Sequence, residues 1–124
     1  MSDFWRKRLR SFLFAGRGVR TLIAAEHNAW IHAGFTLAVI GFGFWWEVSL
    51  TEWCLLILSI GLVLAAEAFN TALEKLTDLV SPDYHELAGQ AKDLAAGAVL
   101  LTAIAAALVG FIIFVPKLWN WWFL

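Results

Sequence analysis

The chain has 124 residues, of which 61% are hydrophobic and 15% are charged, and its formal net charge is −1. A soluble domain normally carries about 25% charged residues, so this apolar excess would stay exposed and aggregate in water. The mean hydropathy is +0.74, which indicates an integral membrane protein. The composition excludes a soluble enzyme and a nucleic-acid-binding module, and the single cysteine, Cys54, excludes a disulfide scaffold.

The N-terminal segment, about residues 4–25, predicts an amphipathic helix that lies on the membrane surface. At 100° per residue one face is apolar, and basic side chains such as Lys7 and Arg10 lie on the opposite face. Gly16 and Gly18 are positions at which this helix could be interrupted. A plain anchor for anionic lipid is an equally good explanation for each arginine.

Three apolar stretches follow, over about residues 28–46, 53–80 and 94–116. Each is long enough to cross about 30 Å of hydrocarbon as a helix. The second stretch carries carboxylates in its final third, whereas the third stretch has no formal charge. Because the connections are short, we predict a single all-α membrane domain over residues 1–124, with one surface helix and three transmembrane helices.

The basic residues predict the orientation of the chain. Six Lys and Arg precede the first stretch, Lys75 and Lys92 flank the connection between the second and third, and Lys117 stands alone on the other side. The positive-inside rule therefore places the N-terminus and the segment 75–93 in the cytoplasm, with the C-terminus outside. Six of the eight tryptophans then form a belt at the outer interface: Trp45, Trp46, Trp53, Trp119, Trp121 and Trp122.

A polar stripe on the second stretch is unusual for a membrane span. Four residues lie at i, i+3, i+7 and i+11, so on a helix they fall within about 80° of one another. They are Glu67, Asn70, Glu74 and Asp78. A carboxylate at the depth of Glu67 costs about 3 kcal/mol or more without a partner or water. Structural pairing across a bundle is one explanation, but three neighbouring acids repel one another, so we expect a cation to bind there.

Glu26 and Glu74 are candidate metal ligands, because two carboxylates at a wet interface suit Mg²⁺ completed by nucleotide phosphates. They are 48 positions apart, so their proximity is an assumption. The chain has no Walker A sequence and no GxGxxG, so a nucleotide would be held through metal, basic side chains and loop backbone. His27 and His32 lack the i, i+4 spacing of paired ligands, and we interpret His32 as an interfacial or packing residue.

The segment 81–93 is predicted to be a cytoplasmic loop, because Pro82 ends the second helix. Lys92 is placed to neutralise a phosphate. The segment also concentrates other polar residues: Asp83, Tyr84, His85, Glu86, Gly89 and Asp93. A solvated turn explains any one of these equally well.

Two motifs dominate the second half of the chain. The first is E-x-x-N-T-A-x-E-x-x-x-D, from Glu67 to Asp78, and the second is YHELAGQAKD, from Tyr84 to Asp93. Together they closely resemble the signature of the small prokaryotic diacylglycerol kinase and undecaprenol kinase family. The resemblance extends over nearly the whole chain.

This resemblance implies a homotrimer in the bacterial inner membrane, with active sites at the cytoplasmic interface between subunits. It implies Mg²⁺-dependent transfer of the γ-phosphate of ATP to a lipid hydroxyl. Glu67 matches the general base, Asn70 its supporting amide, and Glu26 and Glu74 the metal ligands. The implied nucleotide contacts are Lys7, Glu26, Glu74, Asp83, Tyr84, His85, Lys92 and Asp93. The implied lipid contacts are Glu67, Arg10 and Ala96.

The acceptor lipid stays open between the two branches of the family. Gly16-Arg17-Gly18, Glu52-Trp53 and the tail Phe114–Leu118 favour undecaprenol, as does Ala96 where the other branch tends to carry serine. The stretch Glu86–Gly89 looks more like the diacylglycerol branch.

A small cation or proton conduit is an alternative of another class, although the outer half of the second stretch is apolar. An inactive assembly partner is disfavoured, because every acidic position of the motif is filled.

Overall fold

The computed structural model describes residues 3–25 and 27–123, and the side chains of residues 3–24 and 30–123. Over these residues the chain forms helices and no strand, which confirms the all-α prediction. The four helices are α1 (Asp3–Ala25), α2 (His27–Trp45), α3 (Leu50–Val80) and α4 (Glu86–Phe123). Residues 46–49 connect α2 to α3, and residues 81–85 connect α3 to α4.

Two helices, α3 and α4, are long and apolar enough to cross a membrane, and α2 contains a shorter apolar stretch, Trp30–Trp45. Only 22% of the most apolar window of α3 and 6% of that of α4 are buried within the chain. Apolar side chains this exposed would aggregate in water, whereas lipid or another membrane protein covers them without cost. The described helices therefore fit a membrane protein.

α3 and α4 form an antiparallel pair that is held at both ends by ion pairs. Asp78 near the end of α3 contacts Lys92 near the start of α4. At the opposite end Glu52 accepts from Lys117 at 3.1 Å. Ser49 caps α3, because its hydroxyl accepts from the Glu52 N–H while the Glu52 carboxylate accepts from the Ser49 N–H. The Ser49 N–H, and then Lys117, hold the pKa of Glu52 below its ordinary value.

A small core lies at the end of the bundle where α2 turns into α3. Val48, Leu56 and Ile113 are buried there, and partly buried side chains pack around them. The surrounding residues are Val39, Trp53, Val109 and Phe114. This core joins α2, α3 and α4 at the end opposite the 81–85 connection, so it sets the relative depth of residues on the three helices.

α4 extends further in both directions than the predicted stretch 94–116. α4 begins at Glu86, so the connection is limited to residues 81–85 and the predicted loop 81–93 is wrong for its second half. Lys92 and Asp93 consequently lie on the second turn of a helix. At its other end α4 continues through Pro116 to Phe123, although proline removes one backbone donor there.

α1 is also continuous, and Gly16 and Gly18 do not interrupt it. Two glycines cost about 1 kcal/mol each relative to alanine, which tertiary or membrane contacts can offset. Leu22 is buried, while large apolar side chains such as Trp5 and Phe12 are exposed. That exposed apolar face is what a helix lying on a membrane surface requires.

Gly43 makes a close contact that its lack of a side chain permits. A Cβ at this position would lie 2.5 Å from Cη2 of Trp53, whose ring also packs on Phe44 with centroids 5.1 Å apart. We expect Gly43→Ala to destabilise the protein by about 1–3 kcal/mol, because the ring must move. The measurement is the midpoint of thermal unfolding in detergent micelles.

Gly41→Ala is the matched control, because a Cβ on Gly41 meets nothing within 4 Å among the described residues. Alanine is favoured over glycine inside a helix by about 1 kcal/mol, so the control should keep or raise the midpoint. The same loss of stability in both variants would contradict the close contact between Gly43 and Trp53.

Candidate active site

The polar stripe predicted from the sequence is present along α3, but each acid in it has its own partner. Glu67 contacts α2, Glu74 contacts a residue of α3 itself, and Asp78 contacts α4. Glu67 is buried, Glu74 is half-buried and Asp78 is exposed. The stripe thus runs from the interior of the bundle to the surface at the end that carries the 81–85 connection.

Glu67 and His32 form the deepest of these contacts. Nε2 of His32 and Oε1 of Glu67 are 2.8 Å apart, and the Glu67 side chain is only 7% exposed. Our interpretation of His32 as a packing residue did not foresee this hydrogen bond, which joins residues 35 positions apart. The sequence carries one signal for this hydrogen bond: His32 and Glu67 lie at similar depths on adjacent antiparallel spans. Polar groups inside a membrane need partners, so residues at matching depths are candidates for pairing.

Asn70 and Glu74 lie one turn apart, where the amide Nδ2 donates to Oε1 of Glu74 at 3.3 Å. Oδ1 of Asn70 is buried and accepts no hydrogen bond among the described residues. Carboxylate and amide oxygens are the hard ligands that suit divalent cations such as Mg²⁺ and Ca²⁺. The residues present therefore fit a hard divalent cation at this turn of α3.

The second predicted metal ligand, Glu26, lies outside the described residues. Among the residues that are described, no group of three or more His, Cys, Asp or Glu side chains could hold a metal ion. The pairing of Glu26 with Glu74 therefore stays a prediction.

Lys92 donates to Asp78 at 2.5 Å, and the side chains are 40% and 66% exposed. The contact places an ammonium group at the outer end of the stripe, before the uncharged stretch 94–116 begins. The Asp78 carboxylate raises the pKa of Lys92 above its ordinary value. Because exposed ion pairs are weak, this lysine can exchange its partner for a phosphate.

The other predicted nucleotide contacts lie at the same end of the bundle. Asp83, Tyr84 and His85 are exposed in the connection, and Asp93 is exposed on α4. The Ser81 hydroxyl donates to the Asp83 carbonyl at 2.9 Å. Nδ1 of His85 accepts from the backbone N–H of residue 87 at 3.2 Å, which satisfies a free donor in the first turn of α4.

Three further predicted residues lie away from these contacts. Lys7 and Arg10 are exposed on α1, and Ala96 is exposed on α4. Within the described residues, no hydrogen bond or ion pair joins Lys7 or Arg10 to the stripe. The fold of one chain therefore places Glu67, Asn70, Glu74 and Lys92 at successive depths along one side of the helix pair, without a described contact to Lys7 or Arg10.

An apolar groove of about 650 Å³ runs between α2, α3 and α4. Its walls are mostly alanine, valine, leucine and phenylalanine side chains, and Phe42, Leu56 and Phe114 line it near the small core. His32 lines the groove as well and is the residue that contacts Glu67. The groove thus connects an apolar surface to the buried end of the stripe.

The chain belongs to the prokaryotic diacylglycerol kinase family, whose family model matches residues 13–114. The family and its named members are lipid kinases. The chain is 42% identical to undecaprenol kinase of Bacillus subtilis over 109 residues, which is 88% of this chain and 89% of that protein. It is 44% identical to diacylglycerol kinase of Synechocystis over 111 residues, or 63% of that protein. Diacylglycerol kinase of Escherichia coli is 41% identical over 64 residues, or 52% of each chain.

The Asp78–Lys92 pair predicts a change in lysine reactivity. Asp78→Asn removes the main cause of the raised pKa, so a larger fraction of Lys92 should be deprotonated at pH 9. Lys92 should then react faster with an amine-acylating reagent, as measured by mass spectrometry of the labelled peptide. Lys117, at the other end of α4, is the internal control, and an unchanged ratio of Lys92 to Lys117 labelling would contradict the pairing.

Proposed function

We propose that this chain is an ATP- and Mg²⁺-dependent lipid kinase that transfers the γ-phosphate to the hydroxyl of a membrane lipid. The observation that carries the proposal is the buried carboxylate of Glu67, held by His32 at the inner end of a polar stripe that reaches the surface. Membership of a lipid kinase family supports the same activity. The site can thus accept a hydroxyl from the apolar side and a nucleotide from the aqueous side.

Glu67 is the group we propose as general base. Its carboxylate takes the proton of the acceptor hydroxyl as the hydroxyl oxygen forms a bond to the γ-phosphorus. The bond between the γ-phosphorus and the bridging oxygen breaks, and its electron pair leaves with ADP. Its position favours this role, because the carboxylate is buried beside His32, which lines the apolar groove, so a hydroxyl that arrives from the apolar side can come within hydrogen-bond reach of it.

Glu26 and Glu74 would hold Mg²⁺, with Asn70 beside them. The bound ion would supply positive charge against the phosphate oxygens. Asn70 fixes one oxygen of Glu74 by its hydrogen bond, and its own buried oxygen accepts no hydrogen bond among the described residues. This amide therefore orients the carboxylate and keeps a second hard ligand available.

The nucleotide would lie at the end of the bundle with the 81–85 connection. Lys92 would leave Asp78 and neutralise a phosphate, which is where phosphoryl transfer needs stabilisation. The remaining proposed contacts are Lys7, Asp83, Tyr84, His85 and Asp93. Asp83, Tyr84, His85 and Asp93 are exposed at this end, which supports their assignment because a nucleotide needs an open surface there. Lys7 would reach the nucleotide from α1.

The acceptor that we favour is undecaprenol, with diacylglycerol as the alternative. The match to the Bacillus undecaprenol kinase covers nearly nine tenths of both chains, whereas the matches to two diacylglycerol kinases cover 63% and 52% of those proteins. Arg10 and Ala96 would contact the lipid together with Glu67. A cation conduit is not favoured, because the groove beyond His32 is apolar.

The proposed setting is the bacterial inner membrane, with the N-terminus and the segment 75–93 in the cytoplasm and the C-terminus outside. We also propose that the chain has three transmembrane helices and assembles as a homotrimer. The apolar surface left exposed on α2, α3 and α4 supports it, because neighbouring protomers or lipid must cover that surface. Basic residues of α1 would then reach an active site shared between subunits.

The test is transfer of radiolabelled γ-phosphate from ATP by the purified chain in detergent, with undecaprenol and diacylglycerol offered in separate reactions. We expect wild type to phosphorylate undecaprenol faster. Glu67→Gln should lower kcat by about 100- to 10,000-fold, because the amide cannot accept the proton. Binding of Mg-ATP should persist.

Glu47→Gln is the matched control, since it makes the same chemical change in an exposed residue at the opposite end of the bundle. It should retain full activity. Wild type that phosphorylates neither lipid would overturn the proposed function. Full activity of Glu67→Gln would overturn its assignment as base.

Glu74→Gln tests the metal assignment. Removing one anionic oxygen weakens Mg²⁺ binding, so activity should need a higher Mg²⁺ concentration to reach half of its maximum. The measurement is a Mg²⁺ titration at fixed ATP with the unfolding midpoint as a folding check. A titration that overlays that of wild type would count against Glu74 as a ligand.

A further inference from the structure

His32 is a titratable side chain inside the bundle that the proposed mechanism leaves without a role. It projects from α2, is 21% exposed, and contacts the 7% exposed Glu67 on α3. Glu67 has no other hydrogen-bond partner among the described residues. Within the described chain, the imidazole is therefore the one group whose hydrogen bond orients this carboxylate.

The neighbouring polar groups do not share this task. Asn70 donates to Glu74, and Lys92 donates to Asp78. Besides His32, the polar side chains that line the groove are Thr36 and Ser59, and the other lining side chains are apolar. A buried carboxylate without a fixed partner would sample several rotamers, and a base must present one oxygen to its substrate within hydrogen-bond reach.

We propose that His32 is a positioning residue for Glu67, an inference that rests on the proposed lipid kinase activity. The imidazole donates from Nε2 to Oε1 of Glu67 and so holds the carboxylate in one rotamer. Oε2 is then the oxygen that accepts the proton of the acceptor hydroxyl. His32 keeps its own proton throughout, so the transfer step balances as described for Glu67 alone.

The test compares His32→Ala with His32→Gln. Alanine removes the donor, and we expect kcat to fall by about 100-fold while KM for Mg-ATP stays unchanged, because misplacing a reacting group has effects of this size. Glutamine carries an N–H at nearly the reach of Nε2, so it should restore much of the loss. Thr102→Ala, which alters a half-buried polar residue of α4 that donates to a carbonyl of its own helix and does not line the groove, is the control and should retain wild-type kcat and KM.

Two further measurements separate positioning from a purely structural role. In a Glu67→Gln background, His32→Ala should cause no additional loss, because His32 acts only through Glu67. In wild type, ¹⁵N NMR of labelled histidine, assigned with His32→Gln, should show a protonated Nε2. This spectrum needs neither activity nor the alanine variant.

The outcomes are distinguishable. Wild-type kcat in a folded His32→Ala, or an Nε2 without a proton, overturns the role of His32 and leaves the kinase proposal standing. Equal losses in His32→Ala and His32→Gln, accompanied by equal drops in unfolding midpoint, also overturn it in favour of a structural pair. Wild type that phosphorylates neither lipid overturns both proposals.

Discussion

A carboxylate inside an apolar helical bundle is the constraint on which the rest of this structure depends. The side chain of Glu67 is only 7% exposed, and a charge at such a place is tolerated only with a partner. His32 supplies that partner from α2, so α2 and α3 must pack at one particular relative depth. The same burial is the reason why we propose a chemical role for this carboxylate.

The remaining polar groups continue outward from this point in order of decreasing burial. Asn70 and Glu74 share a half-buried turn of α3, and Asp78 reaches Lys92 at the surface. At the far end of the same helix pair, Glu52 and Lys117 close the bundle around a small apolar core. Ion pairs thus hold α3 and α4 together at both ends. Along the stripe, the exposure of the side chains increases from Glu67 to Asp78.

Several parts of this arrangement follow from local sequence. The length of the apolar stretches predicts α3 and α4, and the i, i+3, i+7 spacing predicts the polar stripe on α3. Both predictions depend only on helix geometry. The start of α4 at Glu86 was missed, because polar residues after Pro82 look like a loop whether or not they are helical. The residues of the two motifs also led to the lipid kinase family, which the match over residues 13–114 confirms.

The sequence by itself determined the class of protein, the acidic stripe and the family, since composition, periodicity and motif spacing are properties of neighbouring residues. Only the tertiary structure decided which side chains meet. It paired His32 with Glu67 and Lys92 with Asp78, and among the described residues it joined neither Lys7 nor Arg10 to the stripe by a hydrogen bond or ion pair. Such contacts join different helices, and their depth and rotation are set by packing of the whole bundle rather than by any local pattern.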